Sequence, residues 1–193
     1  MLKPARVSVC MVIVALAALA ASAQTGLPIG PEAFTADAQV TTDIGVANST
    51  LDIQLAAYSP EHEKKAMTDA LKYNGFVGFV PVFKKASVVG TVRIRERKWN
   101  IRWASQQADG DRRKILLATD EPIYFVGGGK SDSKSRTAYT MAVLQFTVDK
   151  NGAGTGTMAG AARVKPNADG TAFILDDYSD EPIALKVKRA DAK

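Results

Sequence analysis

The chain has 193 residues, with 25 Lys and Arg against 20 Asp and Glu, a formal net charge of +5, one histidine and one cysteine. That scarcity excludes thiolate zinc sites, CxxC redox pairs and histidine-rich metal centres. A charge of +5 over this length is too dilute for a nucleic-acid binder.

The first element in chain order is a leader. Lys3 and Arg6 precede an apolar run, Val7 to Ala20, interrupted only by Ser8 and Cys10, and Ala21-Ser22-Ala23 then forms an A-x-A site before Gln24. This is the layout of a secretory signal peptide. The 14-residue run is too short to span a membrane, which takes about 20 residues. Cys10 lies mid-run rather than at the cleavage point, so a lipoprotein signal is not expected. The expectation is cleavage after Ala23, a secreted or periplasmic protein, and one β-rich domain over residues 24–193 with no membrane span. Loss of Lys3 and Arg6, with no acid lost, takes the charge from +5 to +3 and leaves no cysteine. Stability then rests on an ordinary core; a domain of this size buries about 70% of its unfolded surface.

Gln24 to Glu32 is rich in Gly and Pro and reads as a loop. Phe34 to Val40 reads as a short strand. Asn48 to Ala57 alternates, with Leu51, Ile53 and Leu55 on one face and Thr50, Asp52 and Gln54 on the other, as in a half-buried strand. The period changes at Ser59-Pro60-Glu61. Ser59 suits an N-cap, Pro60 the first helical position, and Glu61 and Glu63 the positive end of the helix dipole. Met67, Ala70 and Leu71 follow at helical spacing, and Asn74-Gly75 is a stop, so a helix is predicted over 60–73. Phe76 to Ala86 is ambiguous; Phe76, Phe79, Val80 and Phe83 favour a second short helix packing back on the first, giving a helical segment over about 60–85.

From Ser87 the pattern is β. Strands are predicted over 88–97, 98–106, 112–119, 122–126, 137–149, 153–164, 171–176 and 183–188. The turns are Ala108-Asp109-Gly110-Asp111, Asn151-Gly152 and Asn167-Ala168-Asp169-Gly170, with a polar Gly127–Ser135 loop. The fold class is therefore mainly β with a small helical segment (α+β). An antiparallel meander is expected, closed or partly open as a lipocalin-like barrel rather than a two-sheet sandwich.

The order of these features resembles a family of uncharacterised secreted bacterial proteins. The similar parts are YSPEHEKKAMTDALKYNG, the strand at Gly90, RKILLATDEPI, FTVDKNGAGTGTM, AARVK and EPIALKVK, which together span most of the chain after the leader. Relatives often read Thr-Asp-Arg-Pro where this chain has Thr119-Asp120-Glu121-Pro122. The resemblance implies a secreted α+β protein and no activity, so no catalytic residue is carried over.

Candidate motifs are thin. Gly127-Gly128-Gly129-Lys130-Ser131 lacks the further glycine of a phosphate loop, since position 124 is Tyr124, and precedes no helix. The glycines at 152, 154, 156 and 160 follow a β-turn, where they permit close packing or bending rather than dinucleotide binding. Asp149-Lys150-Asn151 starts like a calcium loop, but Ala153 and Gly160 stand where ligands are needed. His62 sits between two acids in the first helical turn and reads as solvated. Asp120 with Glu121, and Asp176, Asp177, Asp180 and Glu181, read as turn acids. Arg93, Arg95 and Arg97 share one face of the expected strand, beside Trp99 and Trp103 on the next. An anionic or aromatic ligand suits such a set, although a solvated face over a core tryptophan pair is the ordinary explanation.

Three functions are weighed. The first is a non-catalytic carrier holding a small apolar or amphipathic ligand in the barrel, lined by Trp99, Trp103, Phe76, Phe79 and Phe83, with Arg93 or Arg95 at the mouth. On this reading Trp103→Ala removes binding and spares the fold. The second is a cell-envelope protein binding another protein or a polyanionic polymer through Arg93, Arg95 and Arg97. The weakest is a hydrolase using acids such as Asp120 and Asp177. No cofactor, metal or nucleic acid is expected.

Overall fold

The computed structural model of the protein describes residues 27–42, 45–124 and 138–191. The expected signal peptide and the Gly127–Ser135 loop lie outside these residues, as do the last two positions of the strand expected over 122–126, and residues 122–124 are not in a strand. The strands are β1 (Glu32–Thr42), β2 (Gly45–Leu55), β3 (Gly90–Ile94), β4 (Arg97–Asp109), β5 (Arg112–Thr119), β6 (Met141–Val148), β7 (Gly154–Pro166), β8 (Phe173–Tyr178) and β9 (Ile183–Ala190), with the helical segment α1 (Glu61–Lys85) between β2 and β3.

The chain closes a barrel. Strands β1 to β7 pair in sequence, β9 pairs with β7 and with β1, and every pairing is antiparallel. Eight strands thus form a closed, lipocalin-like barrel, and β8 adds a flap on the far half of β7. Closure gives every barrel strand a neighbour on both sides, although β3 covers only Asp52–Leu55 of β2. The interior is built by alternation. Phe34, Ala36 and Ala38 of β1 face Leu51, Ile53 and Leu55 of β2 across the same core, with Leu144, Phe146 and Leu185. Phe34 and Phe146 meet edge to face at 5.3 Å between ring centroids. Eight strands leave an interior that side chains can fill.

Glycines let β7 approach β6. A Cβ on Gly156 would overlap the Gln145 carbonyl oxygen and Phe146, and one on Gly154 would overlap the Thr147 carbonyl. These positions permit close backbone packing, as the alternating glycines suggested. At the hairpin before them Gly152 has φ 80°, and the Asp149 carboxylate accepts the Asn151 and Ala153 amides.

Segment α1 packs on the outside of the barrel. It bends at Gly75, where φ is 63° and ψ −170°, so the stop read at Asn74-Gly75 is a kink between two helical halves. Met67, Leu71, Phe79 and Phe83 bury a second core against the outward side chains of β4, β6 and β7 and against Phe173 of β8. Ser59 is not the cap. Pro60 precedes the helix and no side chain caps it; Ser59 Oγ instead accepts the Ala104 amide at 2.9 Å, while its own amide donates to the Ala104 carbonyl. That use fits the register shift between Ile101 and Trp103 in β4, where a bulge leaves backbone groups to be satisfied.

Candidate functional site

The β4 bulge redistributes the expected aromatic lining. Trp99 and Ile101 point into the barrel, but one extra residue sends Trp103 outward, into the second core beneath α1. There its ring lies 4.4 Å from that of Phe173, and its indole N–H donates to Ser105 Oγ at 3.0 Å. Phe79 and Phe83 stack at 5.2 Å and are fully buried in the same layer. Phe76 is half-buried, with the Arg163 guanidinium 5.1 Å above its ring. Trp99 is buried and donates to the Pro122 carbonyl at 3.1 Å. These five aromatics therefore do not line one space: Trp99 packs within the barrel, and the other four pack outside it.

The arginine set is divided as well. The β3–β4 hairpin turns at Arg95-Glu96, with Ile94 opposite Arg97 and Arg93 opposite Lys98. Residues opposite each other share a face, so Arg93 and Arg97 stand on opposite faces, not on one. Arg93 points outward and pairs with Asp52 at 3.0 Å. Arg97 lies on the inward side, 5.9 Å over the Trp99 ring. Arg95 is in the turn, with φ 53°, the one positive φ outside glycine among the described residues.

Arg95 borders a cleft of about 840 Å³ that crosses β2, β1, β9 and β7. By alternation the interior side chains Ala38 and Leu185 face the core, leaving Asp37, Gln39, Asn48, Thr50, Thr155 and Lys186 exposed on the outer face of the barrel. The pairing aligns Asp37 with Thr50 on one side and Lys186 on the other, and Lys186 with Thr155 beyond. Thr50 Oγ1 donates to Asp37 at 3.0 Å, and Gln39 Nε2 donates to Asn48 at 3.1 Å. The cations stand apart. Arg95 enters beside β2 and Lys186 stands on β9, about three strand spacings away, or roughly 14 Å along the sheet. Among the described residues neither Arg95 nor Lys186 forms an ion pair, whereas Arg93, Arg102, Arg113 and Arg189 each have a carboxylate partner.

Several other charges are held by partners within the fold. Glu32, buried at the start of β1, accepts Arg113 at 2.8 and 2.9 Å, Tyr58 at 2.6 Å, and Arg189. Burial pushes the Glu32 carboxyl up, but the hydrogen bonds from Arg113, Tyr58 and Arg189 and the Arg113 charge outweigh it and hold it below its ordinary range. Burial and the bond to Glu32 push the Tyr58 hydroxyl up, and the bond to Glu32 also raises Arg113. The cluster ties β1, the β2–α1 link, β5 and β9 together at one end of the barrel. Asp120 is held by Arg102 at 2.9 Å and Asn100 at 3.2 Å. Asp177 accepts the Tyr139 hydroxyl at 2.8 Å. His62 is exposed. Among the described residues no group of three or more His, Cys, Asp or Glu is arranged to hold a metal, and no helix is long and apolar enough to cross a membrane.

The cleft was not visible in the sequence. Its polar residues occupy the outward positions of ordinary alternating strands and carry no motif. They meet because β9, from the end of the chain, inserts between β1 and β7. In comparisons with known proteins the chain matches no family model, no curated protein and no solved structure.

Proposed function

We propose that this protein is a non-catalytic binding protein, secreted or periplasmic, that takes a polar, negatively charged chain on the outside of its barrel. The observation that carries this reading is the cleft across β2, β1, β9 and β7, with two cations that have no carboxylate partner among the described residues and amide and hydroxyl groups between them. A cation left unpaired by its own protein is available to an anionic ligand, and the intervening Asp37, Gln39, Asn48 and Thr50 suit a ligand bearing hydroxyls. The position of the aromatics supports an outer site over a ligand in the interior. Phe34, Phe146 and Leu144 occupy the core, and Trp103, Phe79 and Phe83 serve to seat α1.

The test is retardation of the protein in a native gel containing polygalacturonate, a carboxylated sugar polymer. Retardation is expected, is expected to fall steeply as salt rises, and is expected to disappear in Lys186→Glu. Retardation that survives both high salt and Lys186→Glu would count against the cleft.

A further inference from the structure

The turn between β3 and β4 holds a residue of the wrong kind for its backbone. Arg95 is the first of two turn residues, since Ile94 and Arg97 close the ladder, and its φ is 53°. Two-residue hairpins place a positive φ at this position, and Gly, Asn or Asp normally fills it. A Cβ there crowds the following carbonyl oxygen. The other positive-φ positions among the described residues, 45, 75, 110, 152 and 170, are all glycine. Packing among the described residues does not repay the exception: Arg95 is exposed, forms no ion pair there, and lies against the cleft.

Strain kept at an exposed residue beside a cleft points to a role outside folding. Resting on the cleft reading above, we infer that Arg95 is the residue that selects an acidic over a neutral polysaccharide, by pairing its guanidinium with an oxyanion of the polymer. The planar fork matches a carboxylate, sulfate or phosphate oxygen pair. Lys186, roughly 14 Å away along the sheet, supplies a second, less directional contact. An anionic group at each cation, with hydroxyls between them over Asp37, Gln39 and Asn48, describes an acidic sugar chain.

The experiment compares wild type, Arg95→Gly, Arg95→Lys and Lys186→Ala, each by calorimetric titration with polygalacturonate, dextran sulfate and neutral dextran, and by thermal unfolding. Wild type is expected to bind one or both acidic polymers and not dextran; which one it prefers identifies the oxyanion. Arg95→Gly is expected to lose about tenfold or more in affinity, the scale of one lost charge-assisted contact. The same variant is expected to melt higher by roughly 1–4 °C, because the strained backbone is relieved. Arg95→Lys, with charge but no fork, is expected to fall between. Arg95→Gly binding as tightly as wild type, while Lys186→Ala binds weakly, overturns the role of Arg95 and leaves the cleft standing. Binding unchanged by either substitution overturns the cleft as well. No binding of wild type to either acidic polymer, or equal binding to dextran, overturns the ligand class.

Discussion

Glu32 shows how much one residue carries in this barrel. Its side chain is 4% exposed and answers two arginines and a tyrosine from three other parts of the chain. Glu32→Gln keeps the shape and removes the charge, leaving the half-buried Arg113 without its counter-ion; breaking such a pair costs up to about 3–5 kcal/mol. Urea unfolding at neutral pH measures that loss. Because the folded carboxyl lies below its ordinary value, the contribution is complete above the glutamate value of 4.5 and is lost as pH falls through the lower folded value. The stability gap between wild type and Glu32→Gln is therefore expected to be constant near neutrality and to close in acid. A gap that is independent of pH would contradict the assignment. Trp103 is the second test at this scale. It is fully buried against Phe173, so Trp103→Ala is expected to cost about 3–5 kcal/mol. The earlier expectation, loss of binding with the fold spared, reverses: stability falls, and polymer binding by the folded fraction persists.

At the scale of elements, two glycines set the geometry and give opposite kinds of damage. Gly156→Ala forces a Cβ into the Gln145 carbonyl and Phe146, and the β6–β7 pair must separate; overpacking of this kind costs about 1–3 kcal/mol. Gly75→Ala meets open space but must adopt φ 63°, ψ −170°, a combination almost confined to glycine, for a cost of about 1–3 kcal/mol. Chemical denaturation reads both, and amide exchange is expected to quicken along β6 and β7 in the first and along α1 in the second. Much of this was legible. The alternation of Leu51, Ile53 and Leu55, the helical spacing of Met67, Ala70 and Leu71, and the Asn151-Gly152 turn each state their local structure, since side-chain period and positive φ are properties of neighbouring residues. Two features were not. The β4 bulge that turns Trp103 outward depends on Ser59, 45 positions away, to satisfy Ala104. The Arg95-Glu96 turn carries neither Gly nor Asn, so nothing local marks it.

At the scale of the molecule, the meander and its helical insert follow from strand spacing, but closure does not. The ring is completed by β9 pairing with both β1 and β7, a contact between distant ends of the chain that no local period announces. That same closure assembles the cleft from four strands and the β3–β4 turn, which is why the candidate site emerged only in three dimensions. It also separates the interior, where Phe34, Leu144 and Phe146 pack, from the outer face, where binding is placed. The most direct test is an amide-shift map of the protein titrated with oligogalacturonate. The shifts are expected to gather at the cleft, on Asp37 to Gln39, Asn48 to Thr50, Arg95, Thr155 and Lys186. Shifts gathered instead on interior residues such as Phe34, Leu144 and Phe146 would contradict it and return the ligand to the inside of the barrel.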